Sequence, residues 1–102
     1  MNDRELLELA AKAAGIDVNG AMRADWLNGH STYWNPLKDD GDALRLAVQL
    51  CLYVTVGPLA SAASWPPHGA WLQEVIEAHG LDRNAATRRA IVRAAAAIAE
   101  KS

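Results

Sequence analysis

The sequence contains no phenylalanine and only one cysteine in 102 residues. Four tryptophans and two tyrosines must therefore supply all the aromatic volume of a core. The single Cys51 excludes an internal disulfide. Because it follows Leu44, Ala47 and Val48 at helical spacing, we predict that all four side chains lie on one core-packing helix face. On that face Cys51 would be a buried, reduced thiol, whereas a reactive cysteine needs an exposed, electropositive setting.

Neither sign of charge dominates, since the formal net charge is −2. This balance argues against a strongly basic nucleic-acid binder and against a highly acidic DNA mimic. The charges are unevenly placed: residues 1–80 carry five basic and ten acidic side chains, whereas residues 81–102 carry five basic and two acidic ones. The C-terminal segment is therefore the basic part of the chain.

Long apolar runs are missing as well. The longest apolar region, residues 43–63, is interrupted by Arg45, by Gln49 and by a Gly-Pro pair, and it is too broken to be a membrane span. Charged residues also separate the first leucines, so we expect no secretory leader. The sequence favours a cytoplasmic protein that does not attach to a membrane.

Catalytic and metal-binding motifs are equally scarce. His30, His68 and His79 are scattered, and neither Ser61 nor Ser64 lies in a glycine-flanked nucleophile turn. The chain has no His/Cys spacing typical of zinc sites and no glycine-rich phosphate loop. We predict no enzymatic activity, no cofactor and no metal.

The stretch from Trp34 to Val48 is the most informative one. Pro36 lacks an N–H and disfavours helix in the preceding residue, which predicts a turn at residues 35–38. Aspartates follow at positions 39, 40 and 42, where their carboxylates can accept the free N–H groups of a helix start. We predict that Asp39 or Asp40 is the N-cap of a central helix.

The same three carboxylates could instead bind a hard cation such as magnesium or calcium. A calcium loop, however, needs alternating oxygen ligands and a glutamate at its end, and no glutamate follows before Glu74. Helix capping is therefore the preferred interpretation of the acidic cluster.

Two further helices are predicted, one near each end of the chain. Residues 3–14 are strong helix formers, with Asn2 or Asp3 as N-cap and Gly15 as terminator. Residues 85–99 have nearly ideal helix propensity, and Asn84 can cap them. In this C-terminal helix we expect a narrow apolar stripe formed by Thr87, Ile91, Ala94, Ala95 and Ile98.

Strand signals lie between the helices. Asn28-Gly29 predicts a hairpin that pairs roughly residues 22–27 with 31–35. Residues 52–56 are rich in β-branched and aromatic side chains and predict a strand, whereas residues 59–69 indicate an exposed loop. Residues 71–79 are ambiguous: their spacing favours a short helix that ends at Gly80, but a further strand would complete the fold better.

These elements predict a single α+β domain in which three main helices pack with a small antiparallel β-sheet. An all-helical fold is the alternative if the hairpin fails and residues 71–79 are helical.

With these elements placed, the chain resembles a group of small proteins of tailed bacteriophages and prophages related to the NinX-type phage proteins. The similarity is carried by residues 4–15, by residues 34–37 with 39–47, and by residues 85–94. The resemblance implies a phage or prophage origin and a bacterial cytoplasm, but no activity and no residue roles. Small phage proteins commonly bind a host protein, and some block defences such as CRISPR systems.

Two sets of side chains are candidates for partner binding. Trp65 is the first, because Pro66-Pro67 would hold it in a loop and tryptophan is favoured at interface hot spots. Trp71 and His68 are further candidates, whereas Trp34 and Trp26 are assigned to the core.

The second set belongs to the basic C-terminal helix, which carries Arg83, Arg88, Arg89 and Arg93, with Lys101 near its end. Of these, Arg88, Arg89 and Arg93 are the candidates that could contact a partner's carboxylates or phosphates. Alternatively these arginines are solvated, or they pair internally with the aspartates at 39, 40 and 42.

We therefore predict a phage-type accessory protein that binds a bacterial host protein non-covalently and could inhibit a host defence. A nucleic-acid-binding regulator that uses the three arginines is the alternative. The alanine-rich helix face could also form a homodimer. The sequence does not decide this, because the core needs the same apolar stripe.

Overall fold

The structure is a computed structural model that describes residues 2–16, 34–65 and 73–100. These residues form three helices and three strands. Their order is α1 (Asp3–Ala13), α2 (Asp40–Gln49), β1 (Tyr53–Val56), β2 (Ala60–Trp65), β3 (Gln73–Ala78) and α3 (Arg83–Glu100). The strands form one antiparallel sheet in the order β1-β2-β3. The predicted α+β class is confirmed, and the all-helical alternative is wrong.

Helix α1 begins and ends where the sequence predicts. The Asn2 side chain accepts a hydrogen bond from the Glu5 N–H, so Asn2 is the N-cap. At the other end Gly15 has a φ of +71°, and the Ile16 N–H donates to the Ala11 carbonyl. This left-handed closure favours glycine because glycine has no Cβ to clash with the backbone.

The turn and the cap before helix α2 are also confirmed. The Asn35 carbonyl accepts hydrogen bonds from the N–H groups of Lys38 and Asp39. Asp39 is the N-cap, and its side chain accepts from the Asp42 N–H at 2.8 Å. The buried Asp42 carboxylate in turn accepts from the Asn35 N–H at 2.9 Å, which ties the turn to the first turn of the helix.

The predicted apolar face of α2 is wrong at three of its four positions. Ala47 is buried, but Leu44 and Val48 are 63% and 68% exposed, and Cys51 is exposed as well. Two apolar stripes overlap on this helix and share Ala47. Packing against α1 and α3 selects the other one, whose buried members are Asp42, Ala43, Leu46 and Ala47.

Cys51 lies beyond the helix rather than on it. Helix α2 ends at Gln49, and Cys51 takes the left-handed conformation with a φ of 55°. Its N–H donates to the Val48 carbonyl, and the Leu52 N–H donates to the Ala47 carbonyl at 2.9 Å. This pair of bonds closes the helix in the way that glycine usually permits, so the prediction of a buried thiol is wrong.

Strand β1 confirms the strand predicted at 52–56 and begins one residue later. The exposed loop predicted for residues 59–69 is wrong for 60–65, which form the central strand β2. Ser61, Ala63 and Trp65 of β2 are buried and alternate with half-buried neighbours. Because the alternating side chains are mostly small, the period of two produces only a weak hydrophobic signal.

The helix predicted at 71–79 is wrong, because residues 73–78 form strand β3. Val75 pairs with Ala63 and packs on the core, whereas Ile76 is exposed on the opposite face. The strand alternative is therefore correct, since pairing with β2 overrides helical spacing. The predicted hairpin lies mainly outside the described residues, and its last two residues, Trp34 and Asn35, belong to no strand.

Helix α3 is longer than predicted and lies at the centre of the fold. It begins at Arg83, and Asp82 rather than Asn84 caps it by accepting from the Ala85 N–H. Its buried face is wider than the predicted stripe and comprises Ala86, Ala90, Ile91, Val92, Ala94, Ala95, Ala96 and Ala99.

Two sides of α3 serve two groups of buried residues. One side packs with α1 and α2, and the other packs with Ala63 and Trp65 of the sheet. Trp34 is partly buried against the first group, as predicted. Trp26 lies outside the described residues.

Substitution Cys51→Gly should stabilise the protein by about 0.5–1 kcal/mol, because it removes a Cβ from a left-handed backbone position. Urea unfolding of the variant and of the wild type measures the difference. Cys51→Ala is the control, since it removes the thiol but keeps the Cβ, and it should change stability by less than about 0.5 kcal/mol. A glycine variant no more stable than the alanine variant would contradict this account of the helix end.

Candidate binding surface

The three candidate arginines of helix α3 are each paired with a different element. Arg88 donates to Asp40 at 2.6 Å and to the Leu37 carbonyl at 2.9 Å. Arg89 pairs with Asp3 of α1 at 2.8 Å.

Arg93 pairs with Glu77 of β3 and donates to the Ile76 carbonyl at 3.4 Å. Internal pairing, the alternative interpretation of the three arginines, is therefore what the structure contains. For Arg88 the partner is one of the predicted aspartates, Asp40.

Arg83, in the first turn of α3, differs from these three arginines. It is exposed, and its guanidinium has no ion-pair partner among the residues that the structure describes. Phosphates that approached Arg88, Arg89 and Arg93 would have to displace existing carboxylates, whereas a group that approached Arg83 would not. Among the arginines of α3, the positive charge available to a partner therefore lies at the N-terminal end of the helix.

Trp65 is not in an exposed loop, and that prediction is wrong. It is the last residue of β2, is 8% exposed and packs with Ala63, Ala90 and Ala94. A chain without phenylalanine uses this tryptophan as core volume. Trp71 and His68 lie outside the described residues.

A chain of hydrogen bonds from the buried Ser61 and His79 to the half-buried Thr87 links the sheet to α3. Ser61 Oγ lies 2.8 Å from His79 Nε2 and 2.7 Å from Thr87 Oγ1, and Thr87 Oγ1 donates to the Arg83 carbonyl. Because Thr87 donates its only hydroxyl proton to that carbonyl, Ser61 must be the donor in the hydrogen bond between Ser61 and Thr87. Ser61 must then accept from His79, so His79 carries its proton on Nε2.

This direction of donation decides what the Ser61 and His79 pair can do. A nucleophilic serine donates its proton to a histidine base, and here the histidine donates to the serine. Ser61 is also only 1% exposed, so no substrate could reach it. The pair therefore joins β2 to the residue that follows β3, and His79 Nδ1 remains buried without a partner among the described residues.

An apolar groove of about 330 Å³ lies between α2, β1 and the first half of α3. Its walls are formed by Asp40, Ala43, Leu44, Ala47, Val54, Val56, Arg83, Asn84, Thr87, Arg88 and Ile91. The groove exists because α3 covers β2 and β3 but leaves the helix-facing side of β1 open.

The β1 side chains of the groove face the helices although they are exposed. Val54 pairs with Ala63 and Val56 pairs with Ser61, and opposite residues of antiparallel strands share a face. Ala63 and Ser61 are buried, yet Val54 and Val56 are exposed. On the helix-facing side of the sheet, the side chains are therefore buried in β2 but exposed to solvent in β1.

The exposed apolar surface extends beyond the groove. Val48 follows Leu44 by one helical turn on α2 and is also exposed. Every residue of β1 is exposed. We call the surface formed by Leu44, Val48, Val54 and Val56 the β1 patch.

Sequence reasoning missed the β1 patch because it assigned Leu44 and Val48 to the core. The available signal was the second stripe through Ala43 and Leu46, which leaves those two side chains without a place inside. Two aliphatic stripes on one ten-residue helix indicate that one of them faces something other than the core.

Within residues 2–16, 34–65 and 73–100 no group of three His, Cys, Asp or Glu side chains could hold a metal ion. In the same parts of the chain no helix is long and apolar enough to cross a membrane. No family model matches the chain, and comparisons with curated proteins and with solved structures find no match either. The resemblance to NinX-type phage proteins stays a prediction.

Substitution Ser61→Ala should destabilise the protein by about 1–3 kcal/mol, because it leaves the buried His79 Nε2–H without an acceptor. Chemical denaturation measures the loss. Ser64→Ala is the matched control on the same strand, since Ser64 faces the other side of the sheet, and its effect should stay below about 0.5 kcal/mol. Equal stabilities of the two variants would contradict the buried chain of donors.

Proposed function

We propose that the protein acts by non-covalent binding of another protein at the β1 patch and its groove. The observation that carries this proposal is the position of Leu44, Val54 and Val56, three exposed aliphatic side chains that line one concave surface. Val48, one helical turn beyond Leu44, is exposed as well. Exposed apolar clusters with a polar rim are typical of interaction sites, because covering them removes apolar area from water.

The polar groups of the groove suit recognition better than catalysis. Thr87 already donates to a backbone carbonyl, and Arg88 is paired with Asp40. Asn84 and Arg83 are exposed at the rim, where they could orient a partner. None of these side chains is placed as a nucleophile beside a base.

The phage resemblance supplies the class of partner, which we propose to be a bacterial host protein. Inhibition of a host defence complex is the more specific form of this proposal. It rests on the resemblance alone, whereas binding at the β1 patch rests on the exposed side chains.

The nucleic-acid alternative has less support. Affinity for a phosphate backbone comes from lysines and arginines that can release counterions. Arg88, Arg89 and Arg93 are instead engaged with carboxylates of this chain. Capture from bacterial lysate therefore tests for bound nucleic acid as well as for bound protein.

Substitution Leu44→Asp should abolish capture of a host protein from bacterial lysate by the tagged chain, or weaken its affinity at least about tenfold, because it places a charge in an apolar contact. The captured protein is then purified, and its affinity is measured for both chains. Ile76→Asp is the matched control, since Ile76 is also an exposed aliphatic residue but lies on the opposite face of the sheet.

Washes at raised salt separate the two functions. Protein held by apolar contacts should survive them, whereas nucleic acid should be released. A partner lost from the Ile76 variant and kept by the Leu44 variant would contradict the proposed surface. Nucleic acid as the only captured material would support the alternative.

A further inference from the structure

The register of the sheet identifies which backbone groups of β1 are free. The Gly57 N–H donates to the Ala60 carbonyl at 2.9 Å, and these residues continue the β1–β2 register by one pair. In antiparallel strands hydrogen-bonded pairs alternate with non-bonded pairs. Thr55 and Tyr53 therefore bond to β2, and the N–H and C=O groups of Val54 and Val56 point away from it.

The pairing of β2 with β3 agrees with this assignment. The His79 N–H donates to the Leu59 carbonyl at 2.9 Å, which continues the β2–β3 register. By the same alternation, the odd-numbered residues of β2 bond to β3 and the even-numbered ones bond to β1. Each residue of β2 therefore bonds either to β1 or to β3, and never to both. This pattern agrees with backbone groups of Val54 and Val56 that point away from β2.

The two edge strands of the sheet differ in whether another residue bonds to their outward backbone groups. At β3, Arg93 reaches across and donates to the outward carbonyl of Ile76 while it pairs with Glu77. At β1, no described residue bonds to the outward groups of Val54 and Val56. The strand also lacks the lysine, proline or bulge that usually protects an exposed edge.

We propose that the partner segment is an extended peptide that adds to β1 as a fourth strand, with alternate apolar side chains in the groove and a carboxylate at Arg83. This inference rests on the proposed function and names the partner's chemistry. Backbone bonds to Val54 and Val56 supply affinity, and the groove selects the side chains. In a strand beside β1, every second side chain lies on the groove side of the sheet, which is also the side of the Val54 and Val56 side chains.

The carboxylate belongs at the Val56 end of β1. Val56 pairs with Ser61, and Ser61 is hydrogen-bonded to Thr87 at 2.7 Å. Arg83 lies one helical turn before Thr87 and lines the groove with it. Since Arg83 has no ion-pair partner in the described parts of the chain, its charge can be matched by the bound peptide.

Charge also separates a foreign peptide from a second copy of this chain. If β1 paired with the β1 of another copy, residues 50–59 would lie beside the groove, and they contain no acidic side chain. Arg83 would then meet no carboxylate. A peptide of different sequence can bond to the outward backbone groups of β1 and also place a carboxylate at Arg83.

The probe is a library of random twelve-residue peptides displayed on yeast and selected against the full chain. We expect enriched peptides to have apolar residues at every second position and an acidic residue at one end. Val54→Pro should weaken their binding at least tenfold, since it removes an outward N–H that β2 does not use. Val54→Thr is the matched control, because it keeps the N–H and the side-chain shape.

Arg83→Glu gives a second test that leaves the strand unchanged. It should weaken the acidic peptides about five- to tenfold, and replacing their acidic residue by lysine should restore binding. Should circular dichroism show that the proline variant does not fold, this charge exchange and the spacing of the enriched residues decide the matter.

Several results would overturn the inference. They are an absence of enriched peptides, apolar residues at helical spacing, or binding that survives Val54→Pro in a folded chain. If such binding is nevertheless lost with Leu44→Asp, the groove binds a partner in another way, and only the strand addition fails. Self-association of the free chain that Val54→Pro abolishes would make a second copy the occupant.

Discussion

The structure depends on how closely the sheet can approach helix α3. Ala63 of β2 meets Ala90 and Ala94 of α3, and all three are fully buried. Methyl groups at this contact bring the backbones together, and a larger side chain would push them apart because interiors are close-packed. The short separation also brings Ser61 within 2.7 Å of Thr87, so the polar chain depends on the alanine contact.

Helix α3 holds the remaining elements by charge as well as by packing. Two successive turns of the helix carry three arginines, which pair with α1, with the start of α2 and with β3. Such partly exposed pairs contribute little stability individually, but each one orients a different element. The helix with the highest density of positive charge is therefore a structural hub, and among its arginines only Arg83 keeps a charge that the described parts of the chain do not match.

The local signals of the sequence predicted both ends of α1 and the start of α2, whereas the inward face of α2 and the strands β2 and β3 depended on tertiary contacts. The turn at Pro36 and the cap at Asp39 were predictable because they involve residues a few positions apart. The inward face of α2 was not, since two stripes share Ala47 and only packing chooses between them. Strand β2 was missed because small residues carry little hydrophobic signal. The β1 patch was missed because Leu44 and Val48 were assigned to the core.

The unequal protection of the two sheet edges limits the kind of assembly that the protein can form. Head-to-tail filaments require each copy to offer two complementary surfaces, one of which remains available after the other is used. Here Arg93 covers part of the β3 edge through the Ile76 carbonyl, whereas no described residue bonds to the outward groups of Val54 and Val56 at the β1 edge. Strand addition is therefore easier at β1 than at β3, and this difference opposes filaments in which the β1 edge of one copy pairs with the β3 edge of the next.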